Sequence, residues 1–112
     1  PHFREPDLAF MKAENAHRRS NEFWDGADLL MEVVSGSPDD RKRDYEIKAL
    51  EYALARVSEY WIIDPEENRI RVLTLDGDVY KLHGDFTVGM TATSVMLPGF
   101  AVSVDEAFAA AR

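Results

Sequence analysis

The stretch that decides the fold runs from Gly26 to Pro65. It holds Asp28-Leu29-Leu30-Met31-Glu32-Val33-Val34-Ser35, then a charged segment with Asp44, Lys48 and Tyr52, then Glu59-Tyr60-Trp61-Ile62-Ile63-Asp64-Pro65. The two apolar runs have the continuous pattern of strands buried on both faces. Between them, Gly36-Ser37-Pro38-Asp39 stops the first run and starts a helix, with Ser37 or Asp39 suited to cap it and Pro38 to its first turn. The helix is expected over about 39–56. Ile47, Leu50, Leu54 and Val57 make a stripe expected to pack on the sheet. Asp44, Lys48 and Tyr52 follow at i, i+4 and i+8 and point in similar directions.

Working outward, Asp7-Leu8-Ala9-Phe10-Met11 reads as a strand after Pro6. Residues 13–23 are polar. Past Pro65, Arg69-Ile70-Arg71-Val72-Leu73-Thr74-Leu75 alternates in part, and Asp76-Gly77 predicts a hairpin turn into Val79-Tyr80-Lys81-Leu82. Leu97-Pro98-Gly99-Phe100 is a turn, and Val104 to Ala111 a short helix. A strand–helix–strand crossover beside hairpins predicts an α/β fold with a mixed sheet. Strands 7–11, 28–34 and 59–64 are expected at its centre.

Composition narrows the function. The 112 residues suit one domain, 46% apolar and 30% charged, as in an ordinary globule. With no cysteine, disulfides and thiolate metal sites are excluded. No apolar run approaches the ~20 residues of a membrane span, and the expected location is cytoplasmic. His2, His17 and His83 lack zinc-site spacing. There is no phosphate-binding loop or dinucleotide fingerprint, and Ser35 and Ser37 have no nucleophile-elbow context. A net charge of −8 weighs against nonspecific nucleic-acid binding, although Arg18-Arg19 and Arg41-Lys42-Arg43 are local basic clusters. Such clusters are more often simply solvated surface. The opening Pro1-His2-Phe3-Arg4-Glu5-Pro6 has no Met, which leads to the expectation that a front segment of a longer protein is missing.

Glu32 is the sharpest chemical signal. A carboxylate inside Leu-Leu-Met-Glu-Val-Val must be compensated by a metal, a lysine or hydrogen bonds, because an unpaired charge there costs several kcal/mol or shifts its pKa. A plain salt bridge to Lys48 would also satisfy it. Asp28, four residues earlier, shares its face of an extended strand or merely begins that strand. Asp7 on a neighbouring strand would complete a two-carboxylate site of the kind Mg²⁺ favours, with waters and phosphate oxygens as the remaining ligands. Lys48 would then stabilise charge on a phosphate or orient a water; its simpler role is an exposed pair with Asp44.

At these residues the chain resembles the Uma-type restriction endonuclease family, a branch of the PD-(D/E)xK nuclease superfamily. The matching segments are Glu5-Pro6-Asp7-Leu8-Ala9-Phe10, Gly26 through Ser35, Arg43-Asp44 through Lys48 and Tyr52, Glu59 through Pro65, and Leu97-Pro98-Gly99-Phe100. The resemblance implies a restriction-endonuclease-like mixed sheet with a crossover helix, C-terminal hairpins and a short helix. It also implies Mg²⁺- or Mn²⁺-dependent hydrolysis of phosphodiester bonds in DNA. Asp7 and Glu32 would bind metal, and Asp7, Glu32 and Lys48 would be catalytic. Asp28, Ser35, Asp44 and Tyr52 would give support, and Arg41, Lys42 and Arg43 would contact DNA. The chain departs from the superfamily motif at Val34, where ExK expects lysine; the helix residue Lys48 is the matching substitute. The resemblance also implies a helical and β segment before the PD strand, which is the front segment expected to be missing from the sequence. A homodimer stays open, and the alternative function is a non-catalytic binding or assembly module on the same fold.

Overall fold

The computed structural model describes residues 8–10, 28–34 and 36–110. Five strands form one sheet in the order β1 (Leu8–Phe10), β2 (Leu29–Val33), β3 (Glu59–Asp64), β4 (Arg69–Asp76) and β5 (Val79–Phe86). β1 runs antiparallel to β2, β2 parallel to β3, and β3, β4 and β5 antiparallel in turn. The sheet is therefore mixed, as expected, and two of the three strands expected at its centre, β2 and β3, are interior. β3 is the middle strand and β1 stands at the edge of the described sheet, because the β4–β5 hairpin adds to the far side of β3. That hairpin turns at Gly77, whose positive φ of 67° suits a residue without a Cβ. A second pair, β6 (Thr91–Thr93) and β7 (Ala101–Ser103), precedes α3 (Val104–Ala110). Among the described residues, no helix is long and apolar enough to cross a membrane.

The β2–β3 crossover is one continuous helical segment in three parts: α1 (Pro38–Lys42), a π-helical turn (Arg43–Ile47) and α2 (Lys48–Leu54). Ser37 caps its start. Its hydroxyl accepts from the Asp40 amide while the Asp40 carboxylate accepts from the Ser37 amide, and Pro38 occupies the first turn. The segment ends in a Schellman turn. Val57 N–H bonds to the Tyr52 carbonyl and Arg56 N–H to that of Ala53, with Arg56 at φ 63°.

The helix presents a different face from the one expected. Ile47, Leu50 and Leu54 are exposed, Leu54 to 78%; only Val57 of that stripe is buried. Tyr52 and Ala53 are buried against the sheet, and Tyr45 and Ala49 pack there too. The physical reason is room. Tyr60 and Ile62 already fill this side of the sheet, and the small Ala49 packed against them lets the helix approach.

Both faces of β2 and β3 are covered. On the helix side Leu30, Val34, Tyr60 and Ile62 pack with Tyr52 and Val57. On the other side Leu29, Met31, Trp61, Ile70 and Val72 pack with Ala92, Val104 and Phe108. The buried Glu59 carboxylate ties the C-terminal part to the sheet. It accepts from Trp61 Nε1 at 2.7 Å, Ser94 Oγ at 2.6 Å, and the amides of Val95 and Met96 at 2.8 and 3.1 Å.

Candidate active site

The helix side of β2 carries the polar cluster. Glu32 is 1% exposed, and β-alternation turns it toward the helix in register with Ile62. Its Oε2 lies 3.0 Å from Lys48 Nζ and accepts a 2.6 Å hydrogen bond from Tyr52 Oη. Lys48 Nζ also lies 2.8 Å from Oδ1 of the buried Asp44. The two partners weighed for Lys48 are thus both present, and its ammonium bridges helix and strand. Burial alone would lower the Lys48 pKa. Hydrogen bonds and attraction from Asp44 and Glu32 outweigh burial and leave it above the usual lysine value.

Tyr60 braces this cluster from β3. Its hydroxyl donates to the Asp44 carbonyl at 2.9 Å, and its ring meets the Tyr52 ring edge-on with centroids 5.1 Å apart. Burial, followed by the nearby Glu32 charge, holds the Tyr60 hydroxyl well above the ordinary tyrosine pKa, so it remains a donor. Sequence reading placed Tyr60 only in the core. Its one available signal was a hydroxyl inside a wholly buried strand, which needs a partner.

Asp28, just before β2, is buried, 2% exposed. Asp7 and Ser35 lie outside the described residues. Leu8, which follows Asp7 in sequence, pairs with Met31, which precedes Glu32.

The basic trio at the helix start divides. Arg41 forks onto Asp64, with Nη1 at 3.0 Å, and also meets Glu66 at 3.1 Å. Arg43 pairs with Asp40 at 3.2 Å, and Lys42 is exposed. Asp64 accepts further hydrogen bonds from Tyr45 Oη at 2.7 Å and the Glu67 amide at 3.2 Å. Burial would raise the Asp64 pKa, but Arg41, Tyr45 and the amide outweigh it and hold the carboxyl below the usual range.

Carboxylate oxygen is the donor a hard divalent ion prefers, and Mg²⁺ commonly takes one or two carboxylates with water and phosphate completing its shell. Among the described residues, no group of three or more His, Asp or Glu gathers to hold a metal. Glu32 offers one carboxylate of the kind such a sparse donor set uses.

A mixed sheet, a parallel crossover and a helix lysine reaching a strand glutamate define a nuclease-type fold of the restriction-endonuclease-like class. The model of the Uma2 family, described as "Putative restriction endonuclease", matches residues 1–105, and the chain belongs to this family. The chain is similar in fold to the crystal structure of a "putative nuclease belonging to DUF820" from Anabaena variabilis ATCC 29413, with a TM-score of 0.65 at 18% identity. The match covers 93% of this chain and 59% of that one, so the chain spans about three-fifths of that protein's length. No curated protein matches the chain.

Proposed function

We propose that the protein is a Mg²⁺- or Mn²⁺-dependent endonuclease that hydrolyses phosphodiester bonds in DNA, with Asp7, Glu32 and Lys48 as its catalytic set. The observation that carries this reading is the Lys48 ammonium at 3.0 Å from the buried Glu32 carboxylate, delivered from the helix where the superfamily motif would place a lysine two residues along the strand. Family membership supports the same reading.

Each residue has a distinct task. Glu32, oriented by Tyr52, would hold the metal together with Asp7. A bound divalent ion would supply positive charge at the scissile phosphate. Lys48 stays protonated at neutral pH, so it serves as a cation toward the phosphate and not as a general base. Asp44 keeps that ammonium in place from one helical turn away. Lys42, exposed on this same helical segment, is the member of the basic trio best placed to meet a DNA backbone; Arg41 and Arg43 would have to exchange carboxylate partners for phosphate. The cytoplasm is the expected location.

The test is plasmid nicking with and without Mg²⁺ or Mn²⁺, with Glu32→Ala alongside. Metal-dependent nicking that Glu32→Ala abolishes supports the reading. A second reading, a non-catalytic binding or assembly module, draws on the pairing of Arg41, Arg43 and Lys48 with carboxylates and on the net charge of −8. Absence of nicking in parent and variant alike would favour it.

A further inference from the structure

The π turn directly precedes Lys48 and contains Asp44. Its effect on direction follows from helix geometry. Asp44 and Tyr52 are eight residues apart; in a plain α-helix that span overshoots two turns by roughly 80°. A π turn absorbs about one residue, or roughly 100°, leaving the same span some ~20° short of two turns. Asp44, Lys48 and Tyr52 therefore run in a nearly straight row along the helix. That row is what lets Lys48 and Tyr52 share one oxygen of Glu32 while Asp44 holds Lys48 from behind.

A π turn is rare and its hydrogen bonds are less favourable than α ones, so something must support it. The Lys48 amide bonds five residues back to the Arg43 carbonyl. A group from outside the helix bonds to the backbone of the turn: Tyr60 Oη, fully buried, on the Asp44 carbonyl at 2.9 Å, while the Tyr45 side chain of the same turn donates to Asp64. The Tyr60 ring also braces Tyr52. Tyr60 thus touches both ends of the row from the strand beneath it.

We infer that Tyr60 is a positioning residue for Lys48: its hydroxyl latches the π turn through the Asp44 carbonyl and so aligns Asp44, Lys48 and Tyr52 over Glu32. The inference rests on the proposed role of Lys48 for its catalytic consequence, but its structural half stands independently.

The experiment is Tyr60→Phe, which keeps the ring and removes only the hydroxyl. Two readouts are taken: backbone hydrogen exchange at Lys48, and steady-state plasmid nicking with Mg²⁺. The expected result is exchange at the Lys48 amide faster by about tenfold, the scale of one lost buried hydrogen bond, with amides of β4 unchanged. Alongside it, kcat falls by about tenfold while KM stays within about twofold, since phosphate-directed charge is lost without loss of DNA affinity. Unchanged exchange at Lys48 overturns the latch. Faster exchange with unchanged kcat overturns the positioning role. If the parent protein itself does not nick DNA, the proposed function fails, and the latch is then decided by the exchange readout alone.

Discussion

Lys48 and Glu32 meet across the interface between helix and sheet, Nζ to Oε2 at 3.0 Å, and neither is a solvated surface charge. Glu32 is 1% exposed, so removing its cation leaves a buried carboxylate with less compensation. Lys48→Ala should therefore destabilise the fold by about 1–3 kcal/mol, less than a fully buried pair because the lysine retains some solvent contact. It should also abolish nicking while leaving the Mg²⁺-induced rise in melting temperature in place. Glu32→Ala should remove both. Melting curves with and without Mg²⁺, run beside the nicking assay, separate the two roles. If Lys48→Ala cuts as fast as the parent, Lys48 is only a structural bridge.

The two sides of the helix should respond oppositely to truncation. Ile62 lies fully buried beneath the helix in the middle strand, and Ile62→Ala should cost about 2–5 kcal/mol. Leu54 is apolar but 78% exposed, and Leu54→Gln should change stability by under about 0.5 kcal/mol. Urea unfolding of both variants measures the contrast. A loss of several kcal/mol at Leu54 would show that this face is covered in solution.

That contrast also marks what the sequence could convey. The strands over Glu59–Asp64 and around Glu32, the Ser37 cap, the turn before Val79 and the last helix were all legible, because each is set by local chemistry: apolar runs, a capping box, a glycine turn. The facing of the helix was not. Ile47, Leu50 and Leu54 form a true apolar stripe, but so do Tyr45, Ala49, Tyr52 and Ala53, and periodicity cannot choose between two apolar faces. The π turn was equally invisible, since no local sequence pattern marks it and the Tyr60 hydroxyl that meets it comes from tertiary structure. The convergence of Asp44, Lys48 and Glu32 was readable because a buried glutamate demands a partner and Lys48 lay on the one helix joining the two strands.

Glu59 should prove as important to stability as any apolar core residue. Its carboxylate accepts four hydrogen bonds from Trp61, Ser94, Val95 and Met96. Glu59→Ala removes the acceptor of those four bonds, three of them only part-buried, at a combined cost of about 1–3 kcal/mol. Trp61 fluorescence and hydrogen exchange at Val95 and Met96 should report a loosened segment. Unchanged exchange there would mean that the segment is held by other contacts.

Arg56 occupies the left-handed position of the Schellman turn at φ 63°, where glycine carries no Cβ penalty. Its side chain reaches the Gly77 carbonyl at 2.9 Å and Asp78 at 3.3 Å, both in exposed surroundings where such links are weak. Relief of the backbone should outweigh their loss. Arg56→Gly is expected to raise stability by about 0.5–1 kcal/mol in denaturant titration. A net loss would show that the link to the β4–β5 turn is stronger than its exposure suggests.

Asp64 should contribute to the stability of the fold on its acid side. Its folded pKa lies below the usual carboxylate value because the Arg41, Tyr45 and Glu67 hydrogen bonds outweigh burial. A depressed folded pKa means that the unfolded chain binds the proton more readily. The stabilisation is then complete above the unfolded aspartate pKa of about 3.9. It drains away as pH falls through that value toward the folded one. Lys48 acts in the opposite direction at the other end: its raised folded pKa gives stability that is complete below the unfolded lysine pKa of about 10.4 and lost as pH rises through the folded value. Stability measured across pH should therefore be flat near neutrality and fall on both flanks. Asp64→Asn should lower the plateau and flatten the acid flank, leaving the alkaline flank as it was. Should Asp64→Asn keep the full acid slope, the carboxylates that govern acid unfolding lie elsewhere, and Arg41 is freer to leave Asp64 for a phosphate than its fork geometry implies.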